Sequence, residues 1–156
     1  MSAMKFSGIG AIVLMALSLV ACSGEQNRYS EYCYLPDDGW RYDDVLEFQP
    51  VHTDSLCEGS FVIGVRHDSS YPYTELMLEV EYETIGRERH DTLQLQLADR
   101  YGNWTGRGIG MSFQCTDTLP MVVHPSATAL KVRHLMRMDT LHGVNQLGVF
   151  FVPKND

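Results

Sequence analysis

From Glu75 to Glu83 the chain alternates between apolar and charged positions. Leu76, Leu78, Val80 and Tyr82 fall on one side, and Glu75, Glu79, Glu81 and Glu83 fall on the other with Met77. Thr92–Leu97 repeats the period, with three leucines on one side and Thr92, Gln94 and Gln96 on the other. An extended chain points successive side chains to opposite faces, so both segments predict strands with one buried and one wet face. Ile85-Gly86-Arg87-Glu88 between them suits a hairpin connection. Further strands are predicted at Ser30–Leu35, Val45–Gln49, Ser60–Arg66, Met111–Cys115, Thr118–Val123 and Leu147–Val152. Turn-forming runs punctuate them: Pro36-Asp37-Asp38-Gly39, Asp68-Ser69-Ser70-Tyr71-Pro72 and Asp99-Arg100-Tyr101-Gly102-Asn103. About eight to nine short strands at this spacing predict an all-β fold, a jelly-roll-like β-sandwich, rather than α/β. Ser126–Arg137 reads either as a helix capped by Ser126 or as a strand with Leu130, Val132, His134 and Met136 on one face. Propensity leans to helix, but the all-β surroundings decide for strand.

Met1–Ala21 breaks this pattern. It holds one charge, Lys5, followed by an apolar run from Ile9 to Val20 that is too short to span a bilayer. A short apolar core behind a positive flank predicts a signal peptide over residues 1–21. The stretch ends Leu19-Val20-Ala21-Cys22-Ser23-Gly24, which resembles the lipobox of bacterial lipoproteins. That resemblance implies cleavage before Cys22, a diacylglycerol on its sulfur and a further acyl chain such as palmitate. Two or more chains anchor stably where one anchors marginally, so no spanning helix is needed. Residues 22–29 then form the lipidated N-terminus and tether, and residues 30–156 the β-sandwich domain. Ser23 is not the Asp that retains many lipoproteins at the inner membrane, which favours the outer membrane. Glu25 is the one acid close behind Cys22, which favours a domain facing the periplasm.

Charge narrows the partners. Lys and Arg number 12 against 20 Asp and Glu, a net charge of −8, with no basic run to neutralise a phosphate backbone. Nucleic acid is therefore not expected. Setting Cys22 aside leaves Cys33, Cys57 and Cys115, so at most one internal disulfide can form. Unpaired, partly buried thiols are the plainer reading; Cys33–Cys57 is the first choice if a bond forms.

Several motifs then add up in order and spacing. They are Pro36-Asp37-Asp38-Gly39-Trp40 followed by Asp43-Asp44; Tyr71-Pro72-Tyr73 with Leu76; Asp91-Thr92; the run Leu97-Ala98-Asp99-Arg100-Tyr101-Gly102-Asn103-Trp104-Thr105-Gly106-Arg107-Gly108-Ile109-Gly110; and Met136-Arg137 ahead of the Leu147–Val152 strand. With the lipobox, they make the chain resemble the gliding-motility lipoprotein GldH family of Bacteroidetes over most of the mature domain. The resemblance implies an outer-membrane-associated lipoprotein accessory to gliding and type IX secretion machinery, with other envelope proteins as partners. Members also occur in non-gliding Bacteroidetes, so it does not imply motility. The three mature cysteines depart from the family pattern.

No catalytic constellation, metal set or cofactor motif is expected. Gly-x-Ser-x-Gly is missing, as are His-x-x-x-His and Cys-x-x-Cys. Gly106-Arg107-Gly108-Ile109-Gly110 lacks the dinucleotide spacing and reads as a loop or bulge. His67-Asp68 and His90-Asp91 read as surface or turn pairs. Calcium under Asp37-Asp38 or Asp99–Asn103 is a minor alternative. Trp40, Tyr71, Tyr73, Tyr101 and Trp104 all fall in predicted loops. They either plug the ends of the sandwich or form a recognition surface, since stiff rings suit protein interfaces and sugar stacking alike. Two function classes follow. One is a non-catalytic lipoprotein that docks on envelope proteins; the other is a lipid-anchored carbohydrate-binding module stacking sugars on Trp40 or Trp104.

Overall fold

The computed structural model describes residues 29–49, 59–84, 86–119 and 129–153. Among these, eleven strands and no helix are found: β1 (Ser30–Tyr34), β2 (Trp40–Arg41), β3 (Leu46–Phe48), β4 (Gly59–Asp68), β5 (Glu75–Thr84), β6 (Arg87–Gln96), β7 (Arg107–Ile109), β8 (Ser112–Thr118), β9 (Leu130–His134), β10 (Thr140–Leu141) and β11 (Val144–Pro153). All pairings are antiparallel. One sheet has the order β1-β11-β4-β8-β7, a second β3-β9-β5-β6, and β10-β2 forms a small ribbon. The all-β sandwich expected from the alternation is the fold. The three strands read least easily, β2, β7 and β10, have two or three residues each, too few to show a period.

The core is made by the inner faces of the two main sheets. Phe61, Ile63, Val65, Leu147, Val149 and Phe151 come from one sheet; Leu76, Leu78, Val80, Leu95, Leu130 and Val132 come from the other. Fully burying one such side chain contributes roughly 1.5–3 kcal/mol. β5 and β6 pair over their whole lengths, from Glu75↔Gln96 to Thr84↔Arg87. The first half of β6 is exposed and shows no apolar alternation; the partner strand imposes its extension.

β9 settles the ambiguous segment. Leu130, Val132 and His134 are buried on one face, and Lys131 and Arg133 pair outward with Glu81 and Glu79. The strand stops at His134, so Leu135–Arg137 lies beyond it, and residues 126–128 are outside the described residues. β8 runs to Thr118 rather than stopping at Cys115, and Leu119 is no longer strand. The expected Thr118–Val123 strand is thus reduced to its first residue, with residues 120–123 not described. Arg107–Ile109 is a short edge strand rather than open loop.

The edges of the sandwich are tied across. The Glu31 carboxylate accepts from the Tyr29 hydroxyl and, at 2.8 Å, from the backbone N–H of Gln49, joining β1 to the end of β3. On the other side, the Thr105 hydroxyl donates to the carbonyl of Leu97 at 3.1 Å.

Candidate recognition surface

The loops that carry the nominated rings share one end of the sandwich. β4 ends there at Asp68, β6 at Gln96 and β9 at His134, and β8 and β11 begin there. The carbonyl of Thr74 accepts from the N–H groups of Leu97 and Ala98 at 2.8 and 3.0 Å, tying the turn before β5 to the loop after β6. The N–H of Asp68 donates to the Gly143 carbonyl at 2.9 Å. Gly143 adopts φ +82°, and a Cβ on it would stand 2.5 Å from the Tyr71 nitrogen, so only glycine fits. The start of β1 lies at the opposite end of the strands, beside Phe150 near the end of β11.

The five rings divide. Trp40 is fully buried, and this corrects its nomination as a surface ring. Its indole N–H donates to the Asp44 carbonyl at 2.9 Å and its ring meets the His134 ring edge-on, 5.2 Å away. The β2–β10 ribbon seats it inside although its neighbours in sequence are polar. Tyr71 is likewise buried, its hydroxyl donating to the Glu75 carbonyl at 2.8 Å. These two plug the end of the sandwich, and neither offers a face to a sugar or a partner. Trp104 is half-buried against His67 and Phe113, at ring distances of 4.7 and 5.7 Å. Tyr73 and Tyr101 remain in contact with solvent. Tyr101 carries the Arg100 guanidinium 4.7 Å from its ring centre, an amphipathic pair at the tip of its loop.

The loop under Tyr101 is built by one carboxylate. Asp99 Oδ1 accepts from the N–H groups of Tyr101 and Asn103 at 2.8 and 2.9 Å, and Oδ2 accepts from the Asn103 amide at 3.0 Å. These bonds, the Asn103 amide foremost, hold the Asp99 carboxyl below its usual range. Oxygens that calcium would need are engaged by the loop itself. Burial pushes the Asp68 carboxyl up, but hydrogen bonds from Ser70 and Asn145 outweigh it and leave it low.

His67 is not the surface residue its sequence neighbours suggest. It is fully buried among Tyr71, Trp104 and Phe113. Its Nδ1–H donates to the Asp68 carbonyl at 3.2 Å, which leaves Nε2 buried without a partner. His134 mirrors it: Nε2–H donates to the Trp40 carbonyl at 3.2 Å, and Nδ1 is buried without a partner. Burial holds both imidazoles below their ordinary pKa, so both are neutral packing groups at pH 7. His90 is exposed, and its neighbour Asp91 accepts from the Tyr82 hydroxyl. His124 lies outside the described residues.

Glu81, Glu88 and His90 each place one donor atom within 4.8 Å of the others on the outer face of the second sheet. Glu81, however, is bridged to Lys131 at 3.1 Å, an ammonium where a cation would sit. A cleft of about 670 Å³ opens between the end of β6 and β8, lined by Gln96, Thr105, Arg107, Gln114 and Cys115. Burial raises the Cys115 thiol, the opposite of what a nucleophile requires. Cys33 and Cys115 are free thiols among the described residues. Cys57, the nominated partner of Cys33, lies outside them, as do Cys22 and residues 1–21 of the expected signal peptide.

Loop reasoning passed over Tyr32, Tyr34 and Phe150, which stand on the outer face of the first sheet. The signal was the spacing of Tyr32 and Tyr34, two residues apart on one side of a strand.

The sequence model of the GldH lipoprotein family matches residues 27–150. The gliding motility lipoprotein GldH of Flavobacterium johnsoniae is 29% identical over 106 residues, covering 67% of this chain and 65% of that protein. The gliding motility lipoprotein GldH homolog of Christiangramia forsetii is 26% identical over 100 residues, covering 64% and 60%. The chain thus spans less than two thirds of the curated relatives it matches. Among solved structures, Eiger TNF from S. frugiperda aligns at 11% identity with a TM-score of 0.39, covering 84% of this chain and 96% of that one; so distant a likeness carries no argument.

Proposed function

This chain belongs to the GldH lipoprotein family, and from that premise we propose that it is a non-catalytic, lipid-anchored protein of the outer membrane, facing the periplasm. Acyl chains on Cys22 hold it to the bilayer, and the loops at the far end of the sandwich dock on other envelope proteins, components of gliding or secretion machinery. The observation that carries this reading is the separation of the two ends. β1, the strand that would follow the tether, starts at Ser30, while Tyr73 and Tyr101 project from loops at the other end of the strands. An anchored scaffold that presents rigid loops away from its attachment suits a docking role. Two curated relatives, both designated gliding motility lipoproteins, support the non-enzymatic reading.

A photo-crosslinker at Tyr101 in the native envelope tests it. The expected result is one or a few defined protein adducts, with none from the same label at Lys131 on the outer face of the second sheet. No adduct from Tyr101, with the chain membrane-bound and folded, contradicts the docking role.

A further inference from the structure

The outer face of the first sheet differs in charge from that of the second among the described residues. Its register sets three rows across β1, β11, β4 and β8: Ser30–Phe150–Val62–Thr118, Tyr32–Gly148–Gly64–Thr116 and Tyr34–Gln146–Arg66–Gln114. None of the three contains a carboxylate. Asp68, at the end of β4, lies on this side beyond the rows, its oxygens accepting from Ser70 and Asn145, and Asp37 lines a cleft with it and Tyr34. The outer face of the second sheet, by contrast, carries Glu47, Glu75, Glu79 and Glu81.

The neutral face is also aromatic. Tyr32 meets Phe150 edge-on at 5.2 Å, and both rings lie over glycines. A Cβ on Gly148 would stand 2.7 Å from the Tyr32 ring, and one on Gly64 would stand 2.8 Å from the Phe150 ring. The two rings thus pack directly on bare backbone. β1 inverts the ordinary polarity of an edge strand: Tyr32 and Tyr34 face solvent, while Glu31 turns inward to Tyr29 and Gln49. Edge strands are ordinarily guarded by outward charge, and β6 follows that rule where β1 does not.

We propose that this face rests on the phospholipid headgroups of the membrane that holds the chain. The inference rests on the acylation of Cys22 proposed above. Tyr29 follows Cys22 by seven positions, so the start of β1 stays within roughly 25 Å of the acylated sulfur. A domain on so short a leash lies beside the bilayer continuously, and its charge decides which side it turns. Anionic headgroups repel the second sheet, where Glu47, Glu75, Glu79 and Glu81 outnumber Lys131 and Arg133, and accept a face where Arg66 and the neighbouring Arg107 of β7 outnumber Asp68. Tyrosine suits the headgroup level, with an apolar ring and a polar tip. Lying on this face leaves the Tyr73 and Tyr101 loops open to the aqueous side.

Matched exposures supply an internal control. Tyr34 and Tyr101 are 78% and 73% exposed, and Tyr32 and Tyr73 are 43% and 39% exposed. The acylated mature chain is inserted from outside into preformed vesicles of phosphatidylethanolamine and phosphatidylglycerol, floated, and iodinated with lactoperoxidase. Peptide mass spectrometry then gives the rate at each tyrosine. Tyr34 should react at least about tenfold more slowly than Tyr101, and Tyr32 more slowly than Tyr73. Tyr34 reacting as fast as Tyr101 on a chain that floats overturns the inference, even if a protein covers the face in native envelopes. A chain that does not float, or lacks acyl mass on Cys22, defeats the anchoring itself and the inference with it.

Discussion

Two buried imidazoles set the pH response of the fold. His67 and His134 each donate one hydrogen bond to a carbonyl and keep the other nitrogen bare inside the core. Protonation there would bury a charge with no partner. Burial therefore lowers both pKa values below the ordinary 6.5. The unfolded chain keeps that ordinary value and binds more protons below it, so stability is fully present above pH 6.5 and falls as acid approaches the folded values. Carboxylates held low, such as Asp99 and Asp68, add their own loss in a more acidic window. The urea midpoint should thus drop between about pH 7.5 and pH 5.5, and the drop should shrink in His67→Phe, whose ring suits the Trp104 and Phe113 surroundings. An equal drop in both proteins would contradict this assignment. At the same scale, Trp40→Ala should cost about 3–5 kcal/mol of stability, whereas Tyr101→Ala should stay within about 0.5 kcal/mol. Denaturant titration of the two variants separates the plug from the surface ring.

The strands show which parts of a sequence announce themselves. β5 was legible because its outer face is wet and its inner face is core, so polarity alternates at every residue but Met77. Half of β6 was not, because Arg87–Asp91 is an edge pairing with charges on both sides; partner and hairpin, rather than burial, extend it. The face of β9 was legible in its strand form, and its buried members are the expected Leu130, Val132 and His134. Among the candidate site residues the outcome turned on seating. Asp-rich and Gly-rich flanks mark Trp40 as loop, and the turn is real, but a two-residue ribbon folds the ring inward. Tyr71 follows the same logic through its approach to Gly143. Tyr32 and Tyr34 were passed over because aromatic residues in a strand read as core, and nothing local indicates that Glu31 takes the inner side. At this scale, Gly143→Ala should destabilise by more than about 1 kcal/mol, because it combines a left-handed backbone with a clash against Tyr71. Lys131→Ala should cost no more than about 1 kcal/mol, since its bridge to Glu81 is largely open to water. A thermal melt of each reads the contrast.

For the molecule as a whole, the arrangement divides labour by direction. One end of the strands holds the start of β1, the other gathers the loops, one sheet turns carboxylates outward and the other turns tyrosines outward. A chain of net charge −8 that keeps carboxylates out of three rows of one sheet face has a preferred side. The proposed acylation of Cys22 would give that side something to lie against, and without it neither the orientation nor the exposed loops would have a fixed reference. The intact mass of the chain purified from native membranes tests this most directly. The account predicts a polypeptide that begins at Cys22 and carries the added mass of its acyl chains. A chain that begins elsewhere, or has an unmodified Cys22, contradicts it.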